Sequence, residues 1–202
     1  RRELVELGFR HRIVAAPNLD MVGEDQAQCG STLLLEHPPH FLGSFAEPLM
    51  AEIRHGAQDW ISSFSGPGHY SLTRMAEVPY SGGSDHAILI HPALGVPCPM
   101  LIQWPDRFYH SSHDTPDKCD PDSLALAARI AATYAGFLAM AGTAEVEWLV
   151  EAVGRGARRR ALLALDEADP SRALARGRMG GQHALSSLGR RGAGEAPLAE
   201  AT

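Results

Sequence analysis

Asp106-Arg-Phe-Tyr-His-Ser-Ser-His-Asp-Thr115 lies between the apolar run Val96–Gln103 and the most regular helical pattern in the chain, Asp122–Met140. The run before it reads as a strand, with Pro97 and Pro99 predicting an edge position or an entry bend. Behind it, Asp120-Pro121 supplies a helix start. Leu124, Ala127, Ala128, Ile130, Ala131, Tyr134 and Leu138 then form an apolar stripe that closes at Gly142. A polar segment rich in His and Asp, carried from a strand into a helix, is a loop set at the end of a sheet.

Earlier in the chain the same alternation recurs. Arg12–Gly23 reads as a buried strand entering a loop, and Ser31–Leu35 as a second short strand closed by Pro38-Pro39. Phe45, Leu49 and Ile53 recur every four residues, which predicts a helix over Ser44–His55. Ser62–Gly83 is rich in Ser, Gly and Pro and reads as loops near a site. Strands alternating with helices give an α/β fold. Residues 143–168 have helical character, whereas from Ser171 the chain is rich in Ala, Arg and Gly and is expected to be poorly ordered.

Charge divides along the same line. Residues 1–142 carry nine Lys/Arg against sixteen Asp/Glu, and residues 143–202 nine Arg against eight acids. The acidic front is compatible with carboxylates gathered at a cation site and equally with a solvated surface. The Arg-rich end is interleaved with acids and lacks aromatic partners, which argues against nucleic-acid binding. Cys29, Cys98 and Cys119 form no C-x-x-C pair. No apolar run of membrane-spanning length is read, so no membrane partner is expected.

Three clusters carry chemistry. Asn18-Leu-Asp20-Met-Val-Gly23 puts a carboxylate at a strand end, where a cation or several donors must meet it; a turn-forming role is the alternative. In Tyr80-Ser-Gly-Gly-Ser-Asp-His86 the small residues would let the backbone approach a ligand, although Ser84-Asp85 could equally cap a helix. In the third cluster His110, His113 and Asp114 present imidazole and carboxylate, the donors zinc accepts, with Asp114 suited to orient a ligating imidazole. A polar loop with helix-capping acids explains those residues too.

In order and spacing, Asn18–Gly23, Gly83–His86, Gly95–Pro97 and Tyr109–Thr115 together resemble the second half of the M28 family of zinc aminopeptidases, over roughly residues 8–141. The resemblance implies the C-terminal part of a zinc-exopeptidase domain, a phosphorylase/hydrolase-like mixed-sheet α/β/α fold. It would occupy residues 1–142, followed by a helical extension over 143–170 and a tail over 171–202.

Two zinc ions are implied for the complete enzyme, as is a peptide substrate with a free N-terminus. Asp20 and His110 match ligand positions, one for each metal. Asp85, His86, Tyr109 and Asp114 match residues around the ligands or the substrate pocket, and His113 falls at a variable position. The family's first His, bridging Asp and Glu-Glu pair lie ahead of the N-x-D motif. The nineteen residues before Asp20 contain no H-x-D and no Glu-Glu. No catalytic base is therefore expected in this chain, and the expectation is a partial enzyme, inactive by itself. A non-catalytic binding module of the same family is the alternative.

Overall fold

The structure, a computed structural model, describes residues 13–165 and 169–192. Its centre is a four-stranded mixed sheet. Strand β1 (Asn18–Asp20) runs parallel to β6 (Met100–Trp104), with Asp20 opposite Ile102. β6 is antiparallel to β2 (Thr32–Glu36), which is parallel to β5 (Met75–Val78), so the strand order is β1-β6-β2-β5. β6 is therefore an interior strand. Pro97 and Pro99 lie just ahead of it as the entry bend, and only their carbonyls are used, accepting from Ala16 N–H and Asn18 N–H at 3.0 Å each.

Side chains alternate across a strand, so Leu33, Leu35 and Leu101 share one face. That face packs on helices α2 (Ala46–Gly56) and α4 (Pro121–Met140) around Phe45, Leu49, Met50, Ile130 and Tyr134. The opposite face presents Asn18, Asp20, Glu36 and Met100. The short helix α3 (His86–Ile90) and the segment leading into it engage Asn18 and Glu36 there. The remaining short elements are α1 (Gln26–Cys29) and an exposed hairpin of β3 (Trp60–Ser62) and β4 (His69–Ser71).

α4 starts as the sequence predicts. Asp120 caps it, accepting from Asp122 N–H and Ser123 N–H, and Pro121 opens the first turn. Leu126 takes a core place on this helix. Leu124 instead lies over Gly23, where a Cβ would sit 2.5 Å from a Leu124 methyl. By length and composition α4 is also apolar enough to cross a membrane, contrary to the expectation that no run reaches that length.

Two other expectations change. Ser62–Gly83 is not all loop. It contains β4 and the sheet strand β5, whose four residues Met75-Ala-Glu-Val78 are outweighed by the Ser, Gly and Pro around them. Past α5 (Thr143–Ala164), the expected poorly ordered tail is a helix, α6, over Pro170–Gly192. Ala and Arg are strong helix formers, and Ala184 and Leu188, four apart, suffice to bury one face against Leu149, Ala152 and Val153 of α5. Residues 193–202 lie outside the described residues.

Candidate metal-facing site

The N-x-D loop and the Y-H-S loop leave the sheet from neighbouring parallel strands and are laced together by backbone hydrogen bonds. Gln103 N–H donates to Met21 O at 3.2 Å, Asp120 N–H to Gly23 O at 2.8 Å, Asp25 N–H to Lys118 O at 2.7 Å and Arg107 N–H to Cys29 O at 3.2 Å. The buried Gln103 side chain adds a bond to Glu24 O at 2.9 Å and accepts from Ser31 Oγ at 2.9 Å. A buried amide at the end of a strand must find such partners.

Among the described residues two non-glycine residues have a left-handed backbone, and each belongs to one of these loops. Met21, directly after Asp20, has φ 51°, and His110 has φ 55°. Such conformations persist where the surroundings fix them, and they gather at functional sites. Asp20 is partly buried on the same face as Asn18 and Glu36, whereas His110 is exposed, stacked on Tyr109 with ring centroids 3.7 Å apart. Trp104 meets Tyr109 edge-on at 5.2 Å. Ser111 holds the turn, its Oγ donating to Phe108 O at 2.6 Å while its carbonyl accepts from Asp114 N–H at 3.2 Å. Asp114 is exposed, as is His113. Among the described residues no hydrogen bond joins the Asp114 carboxylate to His110.

The Tyr80–His86 cluster crosses the sheet to reach the Asn18–Gly23 cluster. Ser84 Oγ accepts from Asn18 Nδ2 at 2.9 Å, and Asp85, at the helix cap position, makes no side-chain cap bond. Helix capping therefore does not account for either side chain. His86 is buried, and its Nε2 lies 2.8 Å from Glu36 Oε1. Burial opposes ionisation of Glu36, but bonds from Ser81, Gly82 and His86 outweigh it and hold its carboxyl below the ordinary range.

Sequence reasoning missed Glu36, and it missed a second group in which Glu24, Cys29 and Asp106 bring one donor atom each within 4.8 Å of one another. Burial, then the Asp106 charge, pushes the Glu24 carboxyl up to about 7. Burial with the charges of Asp106 and Glu24 pushes the Cys29 thiol up to about 11. At neutral pH this thiol is a proton donor, and Sγ lies 3.8 Å from Lys118 O. The only sequence signal for Glu36 was an acid ending an apolar run.

Asp20 and His110 offer an oxygen and a nitrogen, which suit zinc. Each is a single donor toward a separate ion, and among the described residues neither belongs to a converging group of three or more His, Cys, Asp or Glu. In donor type they fit one part of a zinc site each.

The frame for these side chains is an α/β domain with two loops laced together at the sheet's end. Residues 4–135 match the model of peptidase family M28, and the chain belongs to that family. Comparison with curated proteins and with solved structures finds no match.

Proposed function

We propose that this chain is part of a zinc-dependent metallopeptidase of the aminopeptidase type, which removes residues from peptides with a free amino terminus. The observation that carries this reading is the lacing of the Asp20 loop to the His110 loop, in a chain of a peptidase family. Asp20 and His110 would each hold one of two zinc ions. Bound zinc activates water and polarises the scissile carbonyl. The chain's own contributions are to orient those two ligands through the strained turns at Met21 and His110 and to present Asp85 beside them for substrate. The base and the other ligands are not among its motifs.

A non-catalytic binding module of the family is the second reading, favoured by the lack of a converging donor group at either residue among the described residues. A nucleic-acid role has little support, since Arg155, Arg159 and Arg160 pair with Glu52, Glu77 and Glu47. Titration calorimetry with zinc separates the first two readings. Weak binding that loses one component in Asp20→Asn and the other in His110→Ala is expected. Unchanged binding in both variants would favour the binding module.

A further inference from the structure

Residues Ser81–Asp85 form a strap over the sheet, pinned at both ends by side chains. At one end Glu36, the last residue of β2 and only 3 % exposed, receives Ser81 N–H at 2.9 Å, Ser81 Oγ–H at 2.5 Å, Gly82 N–H at 3.3 Å and the His86 Nε2 contact at 2.8 Å. At the other end Ser84 receives Asn18 on β1. Asn18 and Glu36 are each opposite Met100, so the strap crosses β6 between them. Asn18 is two residues before Asp20 on the same strand face.

We propose that Glu36, with His86, is a positioning residue for this site. Its carboxylate fixes the strap, and the strap, through Ser84, fixes Asn18 and the strand end that carries Asp20, while the Asp85 side chain, between Ser84 and His86, makes no helix-cap bond. A buried carboxylate collects this many donors at large desolvation cost, so removing it leaves two backbone N–H groups and an imidazole unpaired at once. Three of the four bonds converge on Oε1, with Oε2 taking only the Ser81 hydroxyl. Glutamine can therefore reproduce the pattern: its oxygen replaces Oε1, and its NH2 donates to a rotated Ser81 hydroxyl. Asp20's metal role rests on the metallopeptidase reading; the positioning itself does not.

The test is nitrogen-15 NMR of the full chain, wild type and the variants Glu36→Ala, Glu36→Gln and Ser84→Ala, without and with zinc chloride. In the wild type the His86 ring is expected as the Nε2–H tautomer, with slow exchange at the Ser81 and Gly82 amides. Glu36→Ala is expected to speed that exchange by about tenfold or more, mix the tautomers, and shift the Asn18 side-chain amide and the Asp20 backbone amide. Glu36→Gln should restore all four signals, and Ser84→Ala should move only Asn18 and Asp20. Asn18 and Asp20 signals unmoved by Ser84→Ala and by Glu36→Ala would overturn the proposal. Should Glu36→Ala fail to fold, Glu36→Gln and Ser84→Ala still decide it. Absence of zinc-induced shifts at Asp20 and His110 in the wild type would count against the metallopeptidase reading and leave the positioning result standing.

Discussion

Glu24 stands where ionisation is unfavourable: Oε2 is buried without a hydrogen-bond partner, and Asp106, Asp114 and Asp20 all add negative potential. Its carboxyl titrates near 7 in the fold against 4.5 outside it. A raised folded value means the stability it contributes is fully present below pH 4.5 and is lost as pH rises through about 7. The gap corresponds to at most roughly 3 kcal/mol, less where water reaches the group. In metal-free buffer, Glu24→Gln is expected to raise unfolding free energy by about 1–3 kcal/mol at pH 8 and to leave it unchanged near pH 4.5. Equal effects at both values in urea titrations would refute this account. The sequence made Asp20, Asp85 and His110 visible because motif residues keep close spacing along the chain. Glu24, Cys29 and Asp106 were not visible as a group: 77 positions separate Cys29 from Asp106, and only the pairing of β1 with β6 brings their loops together.

Between elements, charge and close approach do the joining. His37 bridges Glu47 on α2 at 3.2 Å and Glu77 on β5 at 3.4 Å, and Arg160 and Arg159 of α5 reach the same two acids. Burial depresses the His37 ring, but its N–H contacts to the two carboxylates outweigh it and push it up to about 9. Its stabilisation is thus complete below about pH 6.5 and is lost as pH rises through about 9. Wild type minus His37→Gln, followed by thermal melting, should show a difference at pH 7 that shrinks by pH 10. A constant difference would mean that packing, not charge, is lost.

The same layer explains Gly43. A Cβ there would fall 2.6 Å from His183 Cβ and 2.9 Å from the Gly180 carbonyl of α6. Gly43→Val should therefore loosen α6 without disturbing the sheet, read as faster amide exchange confined to residues 170–192 and the Phe45 contact with Ser187. The two long helices of the first 142 residues were legible, α2 from its period and α4 from its period and the Asp120 cap, whereas the single-turn α1 was not. α6 was not legible either, because its buried residues are sparse and its partner face lies on α5 and near Gly43, remote in sequence.

On the scale of the whole molecule, the C-terminal helices complete the core that begins in the family domain. Leu149, Ala152, Val153, Ala184 and Leu188 lie beyond the matched residues 4–135, yet they share one cluster with Leu35, Phe45 and Leu101. That shared cluster predicts coupling between a core change on α5 and the loops that carry Asp20 and His110. Leu149→Ala removes a side chain that is 1 % exposed, at a cost of about 2–4 kcal/mol. Since a domain of this size has only about 5–15 kcal/mol in hand, a large share of its stability depends on helices outside the matched segment. Unfolding followed at Trp148 on α5 and at Trp104 beside Tyr109 should shift by the same amount in this variant. Separate transitions, with Trp104 unmoved, would show that the α5–α6 pair is an independent unit and that the site loops owe nothing to it.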